Sequence, residues 1–459
     1  MTAAILGEVI PSARRLISSL RDIGYDMPSA LCDLIDNSIA ARASNVRVDA
    51  HFDGNESWIR IADDGCGMTA GELREAMRFG TRRSYAEDDL GRFGLGLKSA
   101  SLSQCRRLTV ASRKTSIGRL NLAQWDLDHI EETDRWEVLR PRARECRTAT
   151  EPIRQSRGTS VLWEGLDRVT RYRVPDGLRA TSDFDRLIGE IRAHLAMTFH
   201  RYLSRATRSG RQVTVFLNGH RVEPWDPYAT DEPATTSLTV QRIRLNHNGA
   251  RHSVTVRPYI LPTEAAFSSA ASHRQAAGPR FWTKQQGFYV YRNDRLIQAG
   301  GWNRLRTQDE HTKLARIAVD CPPGAEEAFE LNVSKTQVRI PAAIRSELAA
   351  IASSVCGVAE DTYRRPRAAD RSPETANERL DAIRELVHMV TGAVERMITM
   401  ELDEADAVSQ RLIGRLRELE RQLERQLAER LGIDSATEPT DHRLTSPRPN
   451  NGLVTVNGG

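Results

Sequence analysis

The chain has 459 residues, 39% of them hydrophobic and 28% charged, with a formal net charge of +5. These totals fit a globular protein of two to three domains; no apolar run reaches the roughly eighteen residues of a membrane helix, and the start of the chain does not read as a secretory signal. Six scattered cysteines with no Cys-x-x-Cys argue against a zinc ribbon or disulfide scaffold and for a reducing cytoplasm, and the charge permits nucleic-acid contact without demanding it.

Taken in chain order, residues 11–22 carry apolar positions at helical spacing, and Pro28-Ser29 opens a second helix that runs to about Arg42. Residues 46–52 and 58–62 alternate as strands around the turn Asp53-Gly54-Asn55. Residues 70–78 form a helix, and 108–112, 120–125 and 158–163 form further strands. This order predicts helices packed on one mostly antiparallel sheet. A second domain is expected from about residue 171, with a helix at 184–202 and strands at 212–217, 254–261, 287–291 and 317–319. An Arg-, Pro- and Ala-rich linker follows at 361–378. Apolar steps of three and four from Leu380 predict a helical, coiled-coil segment over 379–433, pairing either within the chain or between chains. The tail at 434–459 is expected to be disordered.

Three motifs lie in order within about seventy residues: Asp33-Leu34-Ile35-Asp36-Asn37-Ser38, Asp63-Asp64-Gly65-Cys66-Gly67-Met68, and Gly91-Arg92-Phe93-Gly94-Leu95-Gly96-Leu97-Lys98-Ser99. Asp33 and Asn37 are four apart and share a helix face, where a carboxylate beside an amide can hold a water and a hydrated Mg²⁺. Asp36 points elsewhere and reads as structural. Asp63 ends a strand at a glycine turn, where a carboxylate can accept from an adenine amino group and the glycines admit the base. Gly91, Gly94 and Gly96 leave backbone N–H groups for an anion, with Lys98-Ser99 opening a helix. The spacing is neither that of a P-loop nor that of a dinucleotide fold. The basic residues number 61 Arg and only 5 Lys, which draws attention to Lys98 and Lys335.

These motifs resemble the GHKL ATPase superfamily, closest to its MORC, MutL and heat-shock-chaperone-like branch and to bacterial stand-alone ATP-binding proteins of this type. The resemblance covers about residues 12–165 and includes Gly158-Thr159-Ser160-Val161 as a closing strand. It implies an α+β fold: a Bergerat-type α/β sandwich ATPase domain over 1–170, a ribosomal-protein-like α/β transducer domain over 171–360, then the helical C-terminal segment. It implies ATP and Mg²⁺ as ligands. By position, Asp33 is the water-activating acid, Asn37 the Mg²⁺ ligand and Asp63 the adenine reader. Gly65, Gly67 and Met68 line the base pocket, Thr159 assists it, and Gly94, Gly96, Lys98 and Ser99 hold phosphates under a lid at 80–92. Lys335 is the transducer lysine for the γ-phosphate. The hydrolysing branches usually carry glutamate where this chain has Asp33, one methylene shorter, so slow turnover is expected.

The motifs begin too early for a histidine kinase, and too little chain follows for a general chaperone. Two readings stay open. One is a slow ATPase that dimerises on ATP and acts as a nucleotide-gated clamp, with DNA or a nuclease effector as partner; the acid-free stretch 191–211 and the arginine-rich stretch 135–157 are its candidate DNA surfaces. The other is a non-hydrolysing, ATP-sensing scaffold that recruits a partner through its C-terminal helices.

Overall fold

The computed structural model describes residues 10–22, 25–80, 96–169, 172–330 and 338–364, with further helical positions at 391, 413–415, 417–419 and 422. Gly91, Gly94, most of the expected lid, Lys335, the linker and most of the coiled-coil segment and tail lie outside the described residues. Residues 1–365 form one compact unit and 366–459 another.

The first layer is built around helix α2 (Met27–Ala40), which follows α1 (Ala13–Arg21). The Asp26 carboxylate caps α2 by accepting from Ser29 N at 2.7 Å, and Pro28 sits in its first turn. Strands β1 (Asn45–His51) and β2 (Trp58–Asp63) lead to α3 (Ala70–Ala76), which starts with a reciprocal Thr69–Glu72 capping box. There follow α4 (Gly96–Leu102), β3 (Arg107–Arg113), β4 (Asn121–Asp126), α5 (Leu127–Thr133), α6 (Arg147–Thr150) and β5 (Gly158–Glu164). Then come α7 (Leu178–Thr198), α8 (His200–Leu203), β6 (Thr214–Leu217) and β7 (His220–Arg221).

The seven strands form one sheet in the order β4-β3-β5-β2-β1-β6-β7. Every pair is antiparallel except β1 with β6. The strand expected in the second domain at 212–217 therefore belongs to the first sheet. The reason is local: Thr214 N donates to Ser44 O at 2.9 Å, which seats β6 on the open edge of β1. One face of the sheet carries the main core, where Ile35, Ile59, Leu108, Trp163 and Ile191 are all fully buried. On the other face Ala111 and Leu162 meet Cys146, Ala149 and Ile153. The result is an α/β sandwich.

A second sheet uses β8 (Thr236–Ser237), β9 (Gln241–His247), β10 (Ala250–Ile260), β11 (Gly287–Arg292), β12 (Arg295–Gln298) and β13 (Ala315–Cys321). Its order is β12-β11-β13-β10-β8, with β9 paired to β10. Helices α9 (Ala270–Ala277), α10 (Phe281–Gln285) and α11 (Arg345–Arg364) complete it. Strands β11 and β13 are buried along their whole length, because both faces are covered. On one face Phe288, Val290 and Val319 pack with Leu348, Ile351 and Val355 of α11. On the other, Tyr289, Tyr291 and Ala318 meet Met197, Trp225 and Tyr228. The helical stretch Ala342–Arg364 is apolar and long enough to cross a membrane by length and composition alone, but this buried face is what its apolar residues serve. Helix α7 packs on α2 and also against β12. The two sheets thus share one helical layer, and β12 reaches the neighbourhood of α2.

Candidate functional site

The second motif builds a carboxylate socket. Asp63, the last residue of β2, accepts from Ser38 Oγ at 2.9 Å, from Gly65 N at 2.9 Å and from Thr159 N at 3.3 Å. Burial pushes the Asp63 carboxyl up to about 6, against the pull of these three donors. The site therefore holds a carboxylate that gains from a further donor such as an exocyclic amine. Two glycines let the chain close around it. Gly158 has φ +135°, and a Cβ there would stand 1.9 Å from the Asp63 carbonyl oxygen; Gly67 has φ +61°, and a Cβ would stand 2.0 Å from Arg113 O. No side chain fits at either place.

The loop after Asp63 is pinned by residues that the motifs do not contain. Ser112 Oγ accepts from Met68 N at 2.8 Å and shares a 2.9 Å hydrogen bond with Thr159 Oγ1. Asn121 donates to Met68 O at 3.0 Å. Sequence reasoning missed Ser112 and Asn121. The available signal was a polar residue at an inward position of a strand: Ser112 is fully buried and Asn121 8% exposed.

Helix α2 carries the first motif on two faces. Asn37 is exposed, whereas Asp33 and Asp36 are buried. Tyr25 Oη donates to Asp33 Oδ2 at 3.0 Å, and Ser99 of α4 also hydrogen-bonds that hydroxyl. Burial and the Asp33 charge hold the Tyr25 phenol well above its usual range. Gly96, the first residue of α4, lies against Asp33: a Cβ there would be 3.8 Å from Oδ2. The structure thus gathers Asp33, Gly96 and Ser99. It also adds Arg295 of β12, whose Nη2 lies 3.5 Å from Asp33 Oδ1 and whose Nε lies 3.1 Å from Asp36 Oδ1. Nothing in the motifs pointed to Arg295, which comes from the second sheet. Asp36, expected to point away from Asp33, instead faces the same guanidinium.

Lys98 is also buried. Its ammonium donates to Ala76 O at the end of α3, at 3.0 Å, and burial lowers it to about 8. The acid-free stretch 191–211 is partly internal, with Arg205 and Arg208 exposed. Arg192 donates to the carbonyls of Leu217 and Arg221, Arg211 to that of Ala43, and Arg201 is buried on Asp294 and Asp320. Burial pushes His194 down to about 4 and His200 down to about 3.

Residues 25–159 match the family of histidine kinase-, DNA gyrase B- and HSP90-like ATPases. The ATPase morc-1 of Caenorhabditis elegans is 35% identical over 91 residues, which are 19% of this chain and 10% of that protein. The DNA mismatch repair protein MutL of Haemophilus influenzae (strain PittEE) is 31% identical over 138 residues, 29% of this chain and 19% of that protein. MutL of Paramagnetospirillum magneticum is 36% identical over 89 residues, 18% and 14% respectively. The chain spans less than a fifth of the length of each of these relatives.

Proposed function

Because this chain carries a GHKL-superfamily ATPase domain of the MORC and MutL type, we propose that it binds ATP, hydrolyses it slowly, and dimerises on ATP as a nucleotide-gated clamp on DNA. The observation that carries the reading is the convergence of Ser38, Gly65 and Thr159 on Asp63, beside the helix that bears Asp33 and Asn37. Asp63 accepts from the adenine amino group, and Gly65, Gly67 and Met68 shape the base pocket around it. Asp33 polarises the attacking water for in-line displacement at the γ-phosphate. Gly94, Gly96, Lys98 and Ser99 hold phosphate, and Lys335 meets the γ-phosphate from the second domain.

No cluster of three or more His, Cys, Asp or Glu suited to a metal occurs among the described residues. A single exposed amide beside a nucleotide site suits Mg²⁺, which keeps several waters and relies on substrate oxygens. Asn37 would hold the ion, which supplies charge neutralisation on the phosphates.

The DNA part of the reading rests on the relatives and on one surface. Arg242 and Arg244 on β9 and Arg251 on β10 share an exposed face of one hairpin, and no ion pair to them occurs among the described residues. Such a row suits a phosphodiester backbone.

The test is steady-state ATPase measurement on wild type, Asp33→Ala and Lys335→Ala, with and without DNA, alongside calorimetry with Mg²⁺ and nucleotide. Turnover abolished by Asp33→Ala is expected. Turnover that survives it overturns the assigned acid, and no heat with nucleotide overturns the whole reading. A gel shift that weakens with salt and with loss of the three hairpin arginines tests the DNA contact; no binding at low salt removes it.

A further inference from the structure

The ATPase reading leaves Arg295 without a role, yet its placement is costly. The side chain is 3% exposed and sits between two carboxylates, Asp33 and Asp36, that are 2% and 0% exposed. These carboxylates lie three apart on helix α2, whereas Arg295 is presented by strand β12 of the second sheet. Burying two anions on one helix without a cation costs several kcal/mol for each ion. A guanidinium is fully charged at any working pH and offers a fork of donors in fixed geometry.

The hairpin that delivers it is fixed tightly. Asn293 and Asp294 form its turn with φ +46° and +63°, the left-handed pair that a two-residue turn requires. Tyr202 Oη donates to Asn293 O at 2.7 Å, and Asp294 accepts from Arg208 N at 2.9 Å and from Arg201 at 3.2 Å. Arg295 therefore stands on a rigid element aimed at α2. Asp33 is held from the opposite side by the Tyr25 hydroxyl.

We propose that Arg295 is the positioning residue of the ATPase site, the counter-ion that orients the Asp33 carboxylate from the second sheet. It acts through Asp33 and touches no substrate. With Tyr25 on one oxygen and Arg295 on the other, the carboxylate plane is set before nucleotide arrives, as a short acid requires if its reach is to be reproducible. The consequence is that the geometry of the acid depends on where β12 sits, so a shift of the second sheet against α2 is felt at the water-activating group. This inference rests on the ATPase reading.

The experiment compares wild type with Arg295→Lys, Arg295→Gln and the control Arg292→Gln by steady-state kinetics, denaturation midpoint and calorimetric ATP affinity. Arg292 is 5% exposed, neighbours Arg295 across the hairpin and pairs with Glu326 at 3.0 Å. Arg295→Gln is expected to lower kcat at least thirtyfold with KM and ATP affinity within about threefold, a loss on the order expected for a misplaced catalytic group. Arg295→Lys is expected to recover part of kcat. Arg292→Gln is expected to lower the denaturation midpoint while leaving kcat within about twofold, an interval well inside the roughly tenfold change that 1.4 kcal/mol would produce. In an Asp33→Ala background, Arg295→Lys should not change the residual rate. Unchanged kcat in folded Arg295→Gln overturns the role of Arg295 and leaves the ATPase reading standing. Wild type that binds ATP without any turnover overturns both hydrolysis and this role.

Discussion

Ser38 on α2 donates its hydroxyl to Oδ2 of Asp63 at the end of β2, at 2.9 Å. Two motifs 25 residues apart in the chain thus meet at one carboxylate, and the helix that bears Asp33 is tied to Asp63, the proposed reader of the base. Because burial holds that carboxyl at about 6, ATP affinity should fall as pH drops below about 6, where protonation removes an acceptor for the adenine amine. Calorimetric titrations between about pH 5 and 8 would show this. The dependence should vanish in Asp63→Asn, which binds weakly throughout.

The same shift has a stability consequence with a definite sign. The folded value lies above the ordinary carboxylate value, so the ionised group opposes folding. Its destabilising effect grows as pH rises from the ordinary value to about 6 and is then constant. An asparagine keeps an acceptor for Gly65 N and Thr159 N without the charge. Asp63→Asn should therefore stabilise the nucleotide-free protein at pH 7 by about 1 kcal/mol while costing ATP affinity. Urea denaturation without nucleotide decides this; a destabilised variant would mean that the Ser38 contact needs the anion.

Glycine substitutions separate structural need from composition. Gly158→Ala should destabilise by about 2 kcal/mol or more and weaken ATP binding, since the left-handed backbone and the Asp63 carbonyl both exclude a methyl group. A Cβ at Gly71 in α3 would meet nothing within 4 Å, so Gly71→Ala should be neutral or stabilise by up to about 1 kcal/mol through helix propensity. Paired thermal melts check both.

The first domain was legible because its signals are local. Asp26-Met27-Pro28 caps a helix, Asp-Gly turns punctuate the strands, and the second motif begins where β2 ends. Arg295 was not legible, because it reaches Asp33 across 262 positions and looks like any arginine in a chain that holds 61 of them. Pattern alone puts strand β6 in the wrong sheet for a related reason. Alternation in Thr214–Leu217 marks a half-buried strand but carries no information about which edge it joins. Strand β9 offers only Ile243 and Leu245 as buried apolar residues among exposed polar ones, too weak a pattern to mark it. In α11, Leu348, Ile351 and Val355 keep helical spacing, so that helix was open to periodicity alone.

The arginines of 191–211 divide between interior and surface, a division that charge counting does not show. Asp320 is 2% exposed and accepts from Arg201 at 2.6 Å, with Arg208 at 3.1 Å and Arg257 also against it. Burial pulls its carboxyl up, but the three guanidinium groups outweigh this and hold it below the ordinary range. Its stabilising effect is complete above the ordinary carboxylate value and is lost as pH falls through the lowered one. Asp320→Asn leaves the buried Arg201 with Asp294 as its remaining carboxylate and should cost about 3 kcal/mol in urea denaturation at pH 7. It should also flatten the acid limb of stability below pH 4, where the ordinary carboxylate value lies.

The final prediction concerns the reach of Asp33. The acid is nearly fully buried, with Tyr25 on one oxygen and Arg295 near the other. An added methylene can extend past Gly96, where a side chain would stand 3.8 Å from Oδ2. Asp33→Glu should therefore fold and bring the carboxylate closer to the water, raising kcat by roughly tenfold if about half an ångström of misplacement is relieved. The same change in a Gly96→Ala background should give no gain, because the added methyl group fills the space that the longer side chain needs. The quantity to compare is the ratio of kcat with and without Asp33→Glu in the two backgrounds. Equal ratios would mean that the longer acid extends along another path and that the Gly96 approach does not limit the site.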